Sequence, residues 1–143
     1  MDRTGGMFRR ILVPVDFTKK NLQAVRLAAR LASAPGSELL LLHVIERVDA
    51  GEPRGLAGFY KKLEKSAREK TQGLLEEVGR GPARGEIRYG NRVREILRYT
   101  QEKKIDLVVM SSHRLVLDNP SENWGTISYK VGILSRCPVL LVK

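Results

Sequence analysis

The hydrophobic residues of this chain fall into five short runs that are separated by longer amphipathic stretches. Four runs are apolar nearly throughout, whereas the run at 85–89 is the most polar. Strands buried on both faces have this uninterrupted character, which favours a parallel sheet over an alternating antiparallel one. We place the polar run at an edge of the sheet. The five predicted strands are ILVPV at 11–15, ELLLLHV at 38–44, GEIRY at 85–89, IDLVVM at 105–110 and PVLLV at 138–142.

Helical patterns fill the intervals between these strands, with apolar residues three or four positions apart. Thr18 is the predicted N-cap of the first helix, and Ala34-Pro35-Gly36 ends that helix. The other helices are predicted at about 57–78, 91–103 and 126–134. Their predicted apolar faces comprise Tyr60, Leu63, Ala67, Leu74, Leu75 and Val78 in the second helix, Val93, Ile96 and Leu97 in the third, and Ile127, Val131 and Leu134 in the fourth.

Strand and helix alternate along the whole chain, without a shift in composition or an internal repeat. The 143 residues suit one domain with one hydrophobic core. This alternation predicts right-handed βαβ units and a three-layer α/β sandwich. We therefore expect a single domain over 1–143, with residues 1–8 as a flexible N-terminus. The Gly- and Pro-bearing segment 45–56 is either a lid or a plain connection.

Composition narrows the class of protein. No apolar run approaches the roughly 20 residues of a membrane helix, and the N-terminus lacks the apolar region of a secretory signal. Cys137 is the only cysteine, so no internal disulfide forms. These features predict a cytoplasmic protein.

The charge balance is strongly basic, with 26 Lys and Arg against 16 Asp and Glu, a net charge of +10. About half of the excess lies in residues 80–104, where eight basic residues face three Glu. Such a surface attracts polyanions. The simpler interpretation is a solvated surface, because aromatic stacking residues are not interleaved with the basic ones.

Several catalytic and metal signatures are absent from the sequence, including the Walker A loop, G-x-G-x-x-G, H-E-x-x-H and G-x-S-x-G. We interpret His43 as a buried, hydrogen-bonded histidine and Cys137 as a small core residue, so metal binding has little support. A hydrolase would need Ser111 or Ser112 with His113 and Asp118. Residues so close in sequence rarely reach the geometry of a nucleophile and its base.

Phosphate binding fits the polar residues better. Ligands of open α/β sheets bind at the carboxyl ends of the strands, where Asp16-Phe17-Thr18 and the stretch 111–126 lie if the first and fourth strands are neighbours. Gly125-Thr126 opens the last helix, so backbone N–H groups point into the loop. Ser111, Ser112, Arg114 and Thr126 add side-chain donors, and Asp16 accepts from ribose hydroxyls. In the alternative interpretation, Asp16 and Gly125-Thr126 only cap helices.

Five blocks of the sequence together resemble the universal stress protein family across nearly the whole chain. They are ILVPVDFTKKNLQAVRLAARLA, LLLLHVIE, YGNRVREIL, DLVVMSSHR and GTISYKVGILSRCPVLLVK. The resemblance implies a five-stranded parallel sheet in the order 3-2-1-4-5 with helices on both faces. It also implies a cytoplasmic homodimer.

One branch of this family binds ATP through G-x-x-G, nine residues and then G-[ST]. By position, the first two glycines fall on Ser111 and Arg114, and the final pair is intact as Gly125-Thr126. Ten residues separate Arg114 from Gly125. The resemblance further implies that Asp16 contacts ribose. It matches the adenine-contacting segment with Val13, Pro14 and the backbone of Val44.

Half of that nucleotide site is thus retained and half is altered. A Cβ at Ser111 stands where backbone would approach the ligand. Arg114 either supplies a guanidinium to the phosphates or fills their pocket, and both alternatives stay open. The expected ligand is ATP or a related adenine nucleotide, accompanied by Mg²⁺.

These observations predict a stress-response binding module rather than an enzyme, because no catalytic base is evident near the phosphates. ATP hydrolysis would be slow and incidental. The alternative function is an ATP-independent interaction protein whose basic surface meets an acidic partner or, weakly and without sequence preference, nucleic acid. In the implied strand order, 138–142 is an uncharged edge, which predicts a homodimer formed through this strand.

Overall fold

The computed structural model describes residues 7–47, 56–79, 82–112 and 126–143, and these residues form one five-stranded parallel sheet. The strand order is β3-β2-β1-β4-β5, and every neighbouring pair is parallel. The predicted fold class and strand order are therefore confirmed. The strands are β1 (Arg10–Pro14), β2 (Glu38–Ile45), β3 (Ala83–Tyr89), β4 (Leu107–Ser111) and β5 (Val139–Val142).

Helices cover both faces of the sheet. They are α1 (Lys19–Leu31), α2 (Leu56–Val78), α3 (Arg92–Glu102) and α4 (Ile127–Leu134). The pair α1 and α2 packs on one face, and the pair α3 and α4 packs on the other. Within the described ranges, no helix is long and apolar enough to cross a membrane.

The sheet separates two hydrophobic cores, because successive side chains of a strand point to opposite faces. In β1, Ile11 and Val13 enter the core under α1 and α2, whereas Leu12 enters the core under α3 and α4. All three side chains are completely buried. This two-sided burial explains why the strand sequences lack polar alternation.

The fourth strand begins later than its apolar pattern predicts. Ile105 is buried, but the ladder starts at Leu107. The carboxylate of Asp106 instead accepts hydrogen bonds from the backbone N–H groups of Arg9, at 2.8 Å, and Arg10, at 3.0 Å. Through these hydrogen bonds, Asp106 holds the residues before β4 against the start of β1.

Two predicted inward-facing residues are exposed in the structure. The buried residues of α2 are Tyr60, Ala67 and Thr71, so its contact with the sheet is narrow and Leu63 lies at the margin. Leu134 is the last residue of α4 and is 58% exposed. Helical periodicity marks a face of the helix, but not how far the neighbouring element covers that face.

Two segment predictions fall partly outside the described residues. Of the predicted flexible N-terminus, residues 1–6 lie outside them, and Phe8 packs against the core under α1 and α2. Of the segment 45–56, residues 48–55 lie outside them.

Candidate functional site

A cavity of about 290 Å³ opens at the carboxyl ends of β1 and β4. Its apolar lining includes Leu42, Val44, Ile96 and Met110, which also belong to the core under α3 and α4. Its polar lining consists of Asp16, Thr18, Lys20, Asn21, Arg92, Ser111, Thr126 and Ser128. An apolar floor with a few polar groups at the rim is typical of a small-molecule site.

The turn between β1 and α1 is held in a defined shape. The N–H of Val15 donates to the carbonyl of Leu42 at 2.8 Å, and Nδ1 of His43 lies 2.8 Å from the carbonyl oxygen of Val15. Phe17 has a φ of 65°, an uncommon conformation for a non-glycine residue. Its ring packs on His43 with centroids 4.4 Å apart. These contacts fix the position from which Asp16 reaches the cavity.

One of the two carboxylate oxygens of Asp16 is already hydrogen-bonded within this turn. Its Oδ1 accepts from the N–H of Thr18 at 3.1 Å and from the hydroxyl of Thr18 at 2.8 Å. Thr18 does occupy the N-cap position of α1, but its side chain makes no cap hydrogen bond. The predicted N-cap position is therefore confirmed, and the Thr18 hydroxyl donates to Asp16. Oδ2 of Asp16 accepts no hydrogen bond from the described residues, so it is free to accept one from a ligand hydroxyl.

Asn21 joins the two predicted loops, although the sequence interpretation did not select it. Its Oδ1 accepts from the N–H groups of Asp16 and Phe17, and its Nδ2 lies 3.2 Å from Oγ of Ser111. Only 2% of Asn21 is exposed. A signal was present in the sequence, since Asn21 shares the apolar face of α1 with Ala24, Val25 and Ala28. A buried amide on such a face needs hydrogen-bond partners.

The structure brings Pro14, Asp16, Val44, Ser111 and Thr126 together around the cavity, as the sequence predicts for one ligand site. The hydroxyls of Thr126 and Ser128 lie 3.4 Å apart at the start of α4. Thr126 is the N-cap residue of this helix, without a side-chain cap hydrogen bond.

Four other predicted residues are not placed at the cavity by the described structure. Val13 is fully buried in the core under α1 and α2, on the opposite face of the sheet. Ser112 is buried, and its N–H donates to the carbonyl of Val142 at 2.9 Å. Arg114 and Gly125 lie outside the described residues, as do His113 and Asp118 of the hydrolase hypothesis.

Two cationic side chains at the rim were also missed. Lys20 lies in the first turn of α1, and Arg92 is the first residue of α3. The backbone N–H of Arg92 donates to Oε1 of Glu46 at 3.4 Å, and Nε of Arg92 lies 4.0 Å from the same oxygen. Lys and Arg residues in helices resemble ordinary surface residues, so only the tertiary structure assigns these two to the rim.

His43 supports the site as a neutral imidazole. Burial lowers its pKa, although the hydrogen bond with Val15 and the charge of Asp16 oppose this shift. The nearby cations Arg92 and Lys70 lower its pKa further. The predicted role of a hydrogen-bonded histidine is confirmed, with the side chain half-buried rather than fully buried.

Metal ligands are not gathered here. In the part of the chain that the structure describes, no group of three or more His, Cys, Asp or Glu is placed to hold a metal ion.

The parallel sheet and its cavity define a doubly wound α/β protein with a ligand crevice where the strand order reverses. Residues 7–143 match the universal stress protein family, and the chain belongs to that family. The expected family membership is thus confirmed.

Individual relatives agree with this assignment. Universal stress protein YxiE of Bacillus subtilis is 29% identical over 150 residues, covering 96% of this chain and 100% of the relative. The solved structure of hypothetical protein MJ0577 is 27% identical with a TM-score of 0.76, covering 96% of each chain. The crystal structure of a universal stress protein in complex with cAMP is 19% identical with a TM-score of 0.73, covering 95% of this chain and 97% of the other.

Proposed function

We propose that this protein is a binding module that takes an adenine nucleotide in the cavity between the ends of β1 and β4. The observation that carries the proposal is the convergence of Asp16, Ser111 and Thr126 above an apolar floor. The sequence separates the first two by 95 positions, and hydrogen bonds through Asn21 bring them together. The universal stress protein that binds cAMP shares this fold.

Each part of an adenine nucleotide finds matching chemistry in this cavity. The base packs on the apolar lining formed by Pro14, Val44 and Ile96. The ribose hydroxyls donate to Oδ2 of Asp16. The phosphate accepts from the hydroxyls of Ser111 and Thr126 and is attracted by the rim cations. ATP and adenine nucleotides with fewer phosphates satisfy these requirements, and any Mg²⁺ would bind as part of the Mg-ATP complex.

We propose that the nucleotide acts by occupancy and not by turnover. Phosphoryl hydrolysis needs a group that orients or deprotonates the attacking water. In the described part of the cavity Asp16 is the one carboxylate, and the ribose engages it in this arrangement. Hydrolysis of ATP would then be slow and incidental.

Calorimetry and thermal unfolding with adenosine, AMP and Mg-ATP test the proposal. Binding to the folded state raises the melting temperature, and the rise grows with the logarithm of the ligand concentration once this exceeds Kd. Asp16→Ala should weaken all three ligands, because all three carry the ribose. Glu69→Gln on the exposed side of α2 is a matched control that removes a remote carboxylate. No heat and no melting shift with any of the three ligands at millimolar concentration would reject the proposal.

A variant of Arg114 separates the two alternatives for the degenerate phosphate motif. If the guanidinium contacts the phosphate, Arg114→Ala weakens AMP and ATP and spares adenosine. If Arg114 fills the phosphate pocket, the same variant strengthens the phosphorylated ligands.

We also propose that the protein is a homodimer formed through β5. This strand is an edge of the sheet and pairs with β4 alone among the described strands. Three large apolar residues of the C-terminal segment are exposed, namely Ile133 at 70%, Leu134 at 58% and Leu140 at 40%. Pairing across a twofold axis would cover both the free edge and this apolar surface.

A further inference from the structure

The amide of Asn21 has a fixed orientation. Its Oδ1 faces two backbone N–H donors, those of Asp16 and Phe17, the latter at 2.8 Å. An amide nitrogen in that place would set donors against donors, so the oxygen must be there. The amide nitrogen consequently points at Ser111, 3.2 Å from Oγ.

This orientation determines the polarity of the Ser111 hydroxyl. The amide nitrogen of Asn21 can only donate, so Oγ of Ser111 is the acceptor in their bond. The hydroxyl proton of Ser111 is therefore unused in this bond. Ser111 also lines the cavity, and no second partner for its hydroxyl is found among the described residues.

We infer that Asn21 is a positioning residue that makes Ser111 a hydrogen-bond donor to the phosphate of the ligand. The same amide holds the turn that presents Asp16 as an acceptor. Asn21 thereby leaves Ser111 as a donor for the phosphate and Asp16 as an acceptor for the ribose hydroxyls, on different sides of the cavity. This inference rests on the proposed function, because it concerns the same ligand.

Asn21→Asp is the informative variant. One carboxylate oxygen still accepts from the N–H groups of Asp16 and Phe17, which preserves the turn. The second oxygen, in place of the amide nitrogen, accepts the Ser111 proton and removes it from the ligand. We expect the affinity for AMP to fall about tenfold or more, with a much smaller change for adenosine.

The new negative charge needs a separate control. Ser111→Ala should reduce AMP affinity selectively, and Ser111→Thr, which keeps a hydroxyl, should restore most of it. In the Ser111→Ala background, Asn21→Asp should add little further loss if Asn21 acts through Ser111. Gln23→Glu adds a charge to the exposed side of the same helix and should change neither affinity.

The outcomes are distinguishable. A full effect of Asn21→Asp in the Ser111→Ala background would show that the charge acts through space, and this would overturn the inference. Equal losses of adenosine and AMP would assign Asn21 a structural role only and also overturn it, while the proposed function would stand. If the unmodified protein binds neither ligand, the proposed function fails and the inference with it. Should Asn21→Asp not fold, unchanged AMP affinity in Ser111→Ala would contradict the inference by itself.

Discussion

At the scale of single residues, His43 is the titratable group on which the shape of the site depends most directly. Its hydrogen bond with Val15 and its contact with Phe17 hold the turn that carries Asp16. Burial is the main reason that its pKa lies below the ordinary value of 6.5. Protonation therefore opposes folding at this residue.

The sign of the pH dependence follows from this lowered pKa. As the pH falls, His43 takes up a proton in the unfolded chain at a higher pH than in the folded protein. The contribution of neutral His43 to the unfolding free energy is therefore complete above about pH 6.5 and is lost as the pH falls through the folded-state pKa. We expect the unfolding free energy to decrease over that window, and His43→Gln to reduce the decrease. Urea unfolding at several pH values measures it.

An NMR titration of the imidazole protons provides the independent check. The chain contains two histidines, and His43→Gln assigns their signals. A midpoint for His43 at or above 6.5, or an unchanged acid dependence in the variant, would contradict the expected shift.

At the scale of elements, the packing of α2 on β3 depends on a close approach at Gly85. A Cβ at this position would overlap Cγ2 of Thr71, which lies on the buried face of α2. The hydroxyl of Thr71 is buried and has no hydrogen-bond partner among the described residues. Among the described residues, Thr71 therefore contributes its methyl group to this interface and no side-chain hydrogen bond.

We expect Gly85→Ala to lower the unfolding free energy by about 1–3 kcal/mol, because the added methyl forces α2 away from the sheet. Thr71→Ala removes the opposing methyl, so the double variant should lose less than the two single variants together. Denaturant unfolding of the four proteins measures this coupling.

Gly73 supplies the matched control in the same helix. A Cβ there meets no atom within 4 Å, so Gly73→Ala should raise stability by about 1 kcal/mol through helix propensity alone. Strict additivity of Gly85→Ala and Thr71→Ala would refute the proposed steric contact.

At the scale of the whole molecule, the two edges of the sheet differ. The edge strand β3 carries Glu86 and Arg88, and Arg88 forms ion pairs with Glu86 and Glu102. The edge strand β5 is uncharged from Val139 to Val142. Charged side chains discourage edge-to-edge pairing, so β5 is the edge that is open to association.

We expect Leu140→Lys to convert the proposed dimer to a monomer or to aggregates, because it places a charge on the exposed side of β5. Leu140 suits this test better than Leu141, which packs against the core under α3 and α4. Light scattering after size exclusion gives the mass. Phe59→Lys, at an exposed apolar residue of α2, should leave the dimer intact. A monomer of the unmodified protein at micromolar concentration would exclude this association.

The basic surface is partly neutralised within the chain. Four of the five arginines at 84–98 lie within 4.0 Å of a glutamate. The pairs are Arg84 with Glu38, Arg88 with Glu86, Glu95 and Glu102, Arg92 with Glu46, and Arg98 with Glu95. We therefore predict at most weak nucleic-acid binding without sequence preference.

Fluorescence anisotropy with two labelled duplexes of unrelated sequence tests this expectation. Any affinity should fall steeply between about 50 and 200 mM salt, and equally for both duplexes. Arg94→Glu should lower the affinity for both duplexes below that of the unmodified protein. Tight, sequence-dependent binding in physiological salt would favour the alternative function of a basic interaction surface.

The sequence alone determined the elements and much of the chemistry. Uninterrupted apolar strands can only be buried on both faces, and this requirement fixed the α/β class; the resemblance to a known family added the strand order. Asp16, Ser111 and Thr126 were predictable because each lies at or just after the carboxyl end of a strand or just before a helix, where parallel sheets hold ligands. The start of Thr18's helix was predicted correctly, whereas the start of the fourth strand was not. The predicted strand began at Ile105, but β4 begins at Leu107, after the Asp106 carboxylate that accepts from the backbone of Arg9 and Arg10.

Only the tertiary structure decided which polar residues act together. Lys20 and Arg92 look like ordinary helix residues in the sequence. Asn21 stands out as an amide on the apolar face of α1, but nothing local indicates which groups lie opposite it. Val13 was assigned to the ligand by position, yet its side chain points to the other face of the sheet, since strand residues alternate. A local pattern fixes the face of an element, whereas the partner on that face depends on residues far away in the chain.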